Sequence, residues 1–313
     1  MSIVTERVVS FLGHSTWVRI ETPDAPLRDA LPLVVLHGGP GMAHNYVRNI
    51  AELADETGRT VIHYDQLGCG NSTHLPEAPV DFWSPQLFVD EFEAVRAALG
   101  IARFHLLGQS WGGMLGAEIA SRQPPGLASL LICNSPASMQ LWLQGAAELR
   151  AELPSDVQHA LDHHEAAGSL TDPEYLRAVD EFYRRHVCRT DSIPADFTES
   201  TLQMEAEPTV YHTMNGPNEF HVIGSLRDWS IIDELHRIKV PTLVIAGEHD
   251  EATPLTWQPF VTGIRGAQSH VFPDASHCTH LEQPRAFRQV VASFLTDNDR
   301  ITPSPAPDQK VSS

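Results

Sequence analysis

The chain has 313 residues, 42% of them hydrophobic, and 21 Lys+Arg stand against 40 Asp+Glu for a formal net charge of −19. A chain of this length buries about three-quarters of its unfolded surface and needs no disulfide or metal staple, and roughly 150 residues per domain allows one large or two ordinary domains. The acidic balance excludes nucleic acid and anionic membrane surfaces as partners, because both demand clustered Lys and Arg. The four cysteines, Cys69, Cys133, Cys188 and Cys278, are far apart with neither CxxC nor zinc-ligand spacing, so they read as thiols of a reducing compartment. No basic n-region leads into an apolar run at the N-terminus, and no apolar run approaches a membrane span, so the expectation is a cytoplasmic protein.

In chain order, short apolar runs alternate with segments of helical period, the pattern of an α/β fold with parallel strands. Strands are expected at 8–12 and 17–21, antiparallel because no crossover helix fits between them. Further strands are expected at 33–36, 60–64, 104–107, 127–133, 242–246 and 269–272. Helices are expected between them at 43–56, 85–99, 111–122, 256–264 and 284–295. From 137 to 232 the chain is rich in Glu, His, Leu and Ala at helical spacing, with no convincing strand, which predicts an inserted helical cap rather than a loop. The expected division is therefore a core from 1–136 and 233–298, a cap at 137–232, and a Pro-rich disordered tail at 299–313.

Three motifs carry chemistry. Gly108-Gln109-Ser110-Trp111-Gly112 lies between an expected strand and helix, the setting of a nucleophile elbow, whose glycines make room for a strained turn that exposes the serine Oγ. His37-Gly38-Gly39-Pro40-Gly41 follows the strand at 33–36 and is placed to supply the N–H of Gly39 or Gly38 to an oxyanion hole completed by the N–H of Trp111. A phosphate-binding reading fails, since neither GKS/GKT nor GxGxxG is present.

A serine nucleophile needs a base, and the base an orienting carboxylate. In α/β-hydrolases they follow in the order Ser, acid, His. Asp250 in Gly247-Glu248-His249-Asp250 and His277 in Pro273-Asp274-Ala275-Ser276-His277 follow consecutive expected strands, at the sheet edge where ligands bind. His280 falls about one helical turn later, and His249 adjoins the acid, so both are poorer bases than His277. Zinc is rejected, because neither His277-x-x-His280 with Cys278 nor His163-His164 has a third ligand at recognised spacing.

With these residues the sequence resembles the proline iminopeptidase (prolyl aminopeptidase) family of serine α/β-hydrolases, in its tricorn-interacting-factor-like branch. The resemblance runs from about Trp17 to Leu295, through the HGGPG at His37, YDQLGCGNS at Tyr64, GQSWGG at Gly108, GEHDEATP at Gly247 and Ser276-His277. It implies a mostly parallel central sheet flanked by helices, an inserted all-helical cap, and release of an N-terminal proline or small residue through an acyl-enzyme without a cofactor. The segment from Met214 to Phe220 resembles the family's cap segment, which implies that Glu219 and the glutamate of the Gly-Glu-x-Asp motif, Glu248, hold the substrate's free amine. Glu248 stands two residues before Asp250, so in extended backbone both side chains share a side. Trp111, Phe220 and Trp229 are candidate walls for a prolyl ring, with core packing as their other reading.

The implied substrate is a small peptide or amino-acid amide with a free N-terminus. An L-proline amide hydrolase is the close alternative, and an esterase or C–C hydrolase of the same fold a second. A haloalkane dehalogenase or epoxide hydrolase is excluded, because Ser110 stands where those enzymes need Asp.

Overall fold

The computed structural model describes residues 2–299. Eight strands form one sheet: β1 (Ile3–Phe11), β2 (His14–Thr22), β3 (Leu33–Leu36), β4 (Val61–Tyr64), β5 (Phe104–Gln109), β6 (Leu127–Cys133), β7 (Thr242–Gly247) and β8 (Gln268–Phe272). Their order across the sheet is β1-β2-β4-β3-β5-β6-β7-β8, so the chain starts at one edge and reaches the other only after the insertion. The β1–β2 and β2–β4 pairs are antiparallel; every later pair is parallel.

The central strands are apolar on both faces, as a sheet covered on both sides requires. Their period of two divides them cleanly. Val34, Leu36, Leu130, Ile132, Val244 and Ala246 join the core under α2 (Pro85–Ala98), α3 (Trp111–Ser121) and α9 (Pro254–Gly263). Leu33, Val35, Leu131, Cys133, Leu243 and Ile245 join the opposite core, under α1 (Leu53–Thr57) and α11 (Pro284–Asn298).

Between β6 and β7 come five helices, α4 (Met139–Ala151), α5 (Ser155–Ala167), α6 (Pro173–His186), α7 (Ala195–Ala206) and α8 (Thr209–Met214). Part of this insertion has its own apolar centre, with Ala146, Leu161, Tyr175, Phe182 and Phe220 buried together. Asp172 and Pro173 start α6 as side-chain cap and first residue, and Gly168 stops α5 in the left-handed conformation that favours glycine. The short α10 (Thr279–Glu282) follows β8.

Two expectations are corrected. The helix expected at 43–56 is a 3-10 turn over Asn45–Glu52 followed by α1. Ala43 has φ +61°, and Asp65 binds both the N–H and the ring of His44, so the chain enters the helix late and tightly wound. Asp299, expected to begin a disordered tail, is bound: its carboxylate accepts from Leu31 N, Arg59 and His105. The rest of the expected tail lies outside the described residues.

Candidate active site

The turn between β5 and α3 holds Ser110 at φ +56°, ψ −125°, a conformation costly for a residue with a Cβ and retained here by its surroundings. The surroundings leave no alternative. A Cβ on Gly108 would meet Gly112 O at 2.0 Å, and one on Gly112 would meet Leu36 O at 2.2 Å. Two glycines thus let the elbow's two arms and the end of β3 pack backbone to backbone, and Ser110 is pushed outward at the N-terminus of α3.

The loop after β3 lies against this turn, since a Cβ on Gly38 would stand 2.8 Å from Ser110 Cβ. Gly38 was expected as one of two alternative oxyanion donors. Its N–H instead donates to Tyr46 Oη at 2.7 Å, so it is already engaged, while Gly39 lines the same cavities as Ser110 and Trp111 joins them at the smaller one.

Asp250 and His277 follow β7 and β8. His277 Nδ1 is 2.8 Å from Asp250 Oδ1. That oxygen also accepts from Ala252 N at 2.8 Å, and Oδ2 accepts from Asn134 Nδ2 at 2.7 Å. The acid is 3% exposed, so these bonds hold a buried charge in one orientation. Burial by itself would disfavour the imidazolium, but the charge and hydrogen bond of Asp250, with the charge of Glu219, raise the His277 pKa above its ordinary value. The rival His280 is buried in another place, with Nε2 2.9 Å from Tyr46 O, and its pKa falls to about 4 chiefly through burial.

Tyr46 joins four arms of the site. Its Oη receives Gly38 N–H and donates to Gln109 Oε1, while Gln109 Nε2 donates to His277 O at 3.1 Å. Its N–H donates to Ser200 Oγ of α7 at 3.0 Å, and its carbonyl meets His280. The end of α6 is laced to the same region by backbone: His186 O receives Glu251 N and His277 N, and Val187 O receives Cys278 N.

One cavity brings together Gly39, Ser110, His277, Glu219 and Glu251, with Tyr46, Tyr183, Tyr211, Phe197 and Met204 among its other walls. Counted out to its mouth, open solvent included, it has about 590 Å³. A second, smaller cavity shares Gly39, Ser110 and Glu219 and is walled by Pro40, Trp111, Met139 and Trp142.

Glu219 is held by its own segment. Asn218 turns the chain by accepting the N–H groups of Phe220 and His221, Glu219 O receives Trp142 Nε1 at 2.6 Å, and Glu219 Oε1 receives Tyr211 Oη at 2.6 Å. Burial raises the Glu219 pKa, against the lowering effects of the Tyr211 bond and the His277 charge.

Glu248 is corrected. It is exposed, lines neither cavity, and accepts from Asp274 N at 3.0 Å. The reason is local. β7 ends at Gly247 and the chain turns, with Asp250 N–H reaching back to Gly247 O, so the alternation that would have put residues 248 and 250 on one side is lost. Glu251, not Glu248, lines the main cavity. It is 1% exposed, both carboxylate oxygens are buried without a hydrogen-bond partner, and Oε1 lies 3.7 Å from His277 Nε2. Burial, then the charges of Glu219 and Asp250, push its pKa well above the ordinary carboxylate value. The only sequence signal was an acid directly after the triad acid, followed by Ala252.

Of the candidate walls, Trp111 reaches the smaller cavity, while its indole N–H donates to Gln66. Phe220 packs on Phe182 inside the insertion, and Trp229 donates to Glu118, so neither lines either cavity. Among the described residues, His164 with Asp172 and Glu174, and Glu248 with His249 and Asp274, are close enough to share a cation, but none of the six lines either cavity.

Comparison with known proteins agrees in fold and kind. The profile described as alpha/beta hydrolase fold matches residues 32–284. A proline iminopeptidase of Lactobacillus helveticus is 34% identical over 300 residues, covering 95% of this chain and 99% of the relative. The crystal structure of a proline iminopeptidase from Mycobacterium smegmatis superposes with a TM-score of 0.91 at 69% identity, over 94% of this chain and 99% of that one. The crystal structure of VinJ gives the same TM-score, 0.91, at 49% identity and the same coverage.

Proposed function

We propose, for a chain that belongs to the proline iminopeptidase family of α/β-hydrolases, that it removes an N-terminal proline or small residue from peptides or amides by way of a serine acyl-enzyme. The protein is a serine aminopeptidase in kind, and the proposal assigns its parts. His277 takes the proton of Ser110 Oγ, which attacks the carbonyl of the first residue. The N–H groups of Gly39 and Trp111 bind the oxyanion. His277 then protonates the leaving nitrogen, and water, activated by the same imidazole, releases the acid. Asp250 holds the imidazole's tautomer and balances the imidazolium. Residues 137–232 act as a cap over this chemistry, contributing Glu219, Tyr183 and Tyr211.

The observation that carries this reading is Glu251: a buried carboxylate with two unpartnered oxygens beside the catalytic base, facing the same cavity as Glu219. Such a group calls for a cation with N–H donors. In an amino acid the nitrogen and carbonyl carbon are about 2.5 Å apart, so fixing the ammonium fixes which carbonyl meets Ser110. An esterase or C–C hydrolase of the same fold has no use for this pair. The smaller cavity, walled by Pro40, Met139 and Trp142, suits a pyrrolidine ring. A cytoplasmic setting belongs to the proposal, supported by four free, buried cysteines; among the described residues no helix is long and apolar enough to cross a membrane.

Parallel rates on L-prolinamide, prolyl and alanyl p-nitroanilides and N-acetyl-prolyl p-nitroanilide test it. The prolyl compounds with free amines should be turned over fastest, N-acetylation should abolish turnover, and Ser110→Ala should lower kcat by about 10⁴-fold or more. Equal rates on free and acetylated substrates would refute the amine anchor.

A further inference from the structure

The insertion holds a cluster of ligating groups that the reaction does not use. Near the end of α5, His164 is 6% exposed, and its Nδ1 lies 2.7 Å from Ser169 Oγ. Its Nε2 is buried without a hydrogen-bond partner. That atom faces two carboxylates at the start of α6, with Asp172 Oδ1 at 3.8 Å and Glu174 Oε2 at 3.5 Å. The three residues bring their ligand atoms within 4.8 Å of one another. Both gaps are too long for a hydrogen bond, so a buried ring nitrogen is left unpaired, at a cost in stability.

The gaps fit a metal ion instead. Zinc–nitrogen bonds of about 2.0–2.1 Å and zinc–oxygen bonds of about 2.0–2.2 Å, at a tetrahedral angle near 109°, set ligand atoms roughly 3.3–3.5 Å apart. An octahedral Mg²⁺ site, with bonds of about 2.0–2.1 Å at right angles, would need roughly 2.8–3.0 Å. An imidazole ligand also favours the zinc class over the hard, oxygen-seeking cations. With Ser169 Oγ accepting from Nδ1–H, the ring keeps its lone pair on Nε2, the arrangement that orients metal-binding histidines. Two carboxylates bring a formal charge of −2, which outweighs the roughly +0.5 of the α6 N-terminus. Among the described residues, the ion pair recorded for each of them is with His164 alone. Their side chains are 45% and 63% exposed, so an ion reaches them from solvent and water takes the fourth position.

We infer that His164, Asp172 and Glu174 form a divalent-cation site of the zinc class, in which the ion ties the end of α5 to the first turn of α6. Asp172 and Glu174 stand eight and ten residues beyond His164, across the turn at Gly168, which is why short ligand spacing at His163-His164 shows no third ligand. Tyr175 packs edge-on against the His164 ring, and its hydroxyl accepts from Asn218 Nδ2 at 2.7 Å. The tie is thus made where the cap also holds the segment that presents Glu219.

The test is binding of Zn²⁺, by calorimetry, and of Co²⁺, by its visible absorption, to the full chain after treatment with a chelator. One equivalent should bind, Co²⁺ should show the strong bands of a four-coordinate ion, and Zn²⁺ should raise Tm. Ser169→Ala, which frees the ring, should weaken binding about ten-fold, and Glu174→Gln, which removes a ligand at an exposed position, about 100-fold. A metal-free Tm for Glu174→Gln equal to that of the wild type shows that the loss is not one of folding. Absence of binding at millimolar Zn²⁺, or weak six-coordinate Co²⁺ bands alone, overturns the site. So does binding that survives both Glu174→Gln and Asp172→Asn but is lost when His159 and His163 are both changed to Ala, because the ion then sits on that stacked pair of rings.

Discussion

Two glutamates three residues apart, Glu248 and Glu251, separate what a sequence pattern can place from what only a folded turn can. Extended backbone would put residues 248 and 250 on one side, and the strand ends at Gly247. The expected consequence is measurable: Glu251→Gln should raise KM for prolinamide by about ten-fold or more, in line with charge-assisted bonds worth roughly 1.5–3 kcal/mol, whereas Glu248→Gln should change it less than about two-fold. Stability moves the other way. The Glu251 carboxyl is held well above its ordinary pKa by burial and by Glu219 and Asp250, so the folded protein binds this proton more tightly than the unfolded chain. Stability from this group is therefore present below the ordinary glutamate pKa of about 4.3 and is lost as pH rises toward the folded value. Glu251→Gln, which mimics the protonated form, should gain in Tm over the wild type as pH is raised from about 4.5 to 8. A Tm difference independent of pH would show that Glu251 is not strained. That Ser110, Asp250 and His277 come together could be read from the sequence because each follows an expected strand and their order is constrained. Glu251 could not, because nothing in a sequence states which carboxylate lacks a partner.

At the scale of elements, the sheet was legible for a physical reason: central strands buried on both faces read as near-continuous apolar runs such as Leu33–Leu36 and Leu127–Cys133, the latter broken only by Ser129. The 3-10 turn at Asn45–Glu52 was not, since its tight winding follows from Asp65 gripping His44 across a sequence gap. The elbow makes a sharper claim, because its glycines differ in kind. A Cβ at Gly112 meets the Leu36 backbone at 2.2 Å, where nothing can yield, whereas one at Gly116 on the same helix meets the Leu130 Cδ1 methyl at 3.2 Å. Gly112→Ala should therefore cost about 3 kcal/mol or more in urea unfolding, and Gly116→Ala about 1 kcal/mol or less once helix propensity is counted. Similar losses at both positions would refute the backbone-packing account.

Across the whole molecule, the formal charge of −19 and the acid-lined cavity act in the same sense on a cationic substrate. The expected outcome is that kcat/KM for prolinamide falls about two-fold or more between 20 and 300 mM salt, most of it through KM; no salt dependence would confine the acids' role to contact range. The insertion was visible as a break in rhythm, but not which of its residues meet the core, because contacts such as Ser200 with Tyr46 join positions 154 residues apart. That contact has a further meaning. Tyr46 spends its amide on α7, its carbonyl on His280, and its hydroxyl on the oxyanion loop and Gln109. Lifting α7 to admit a substrate would release one side of this junction, loosening the loop that carries Gly39 and the backbone that carries His277. The same bonds that hold α7 down thus hold the oxyanion loop and the base's backbone, so that enclosing a substrate and keeping the site in register would be one requirement.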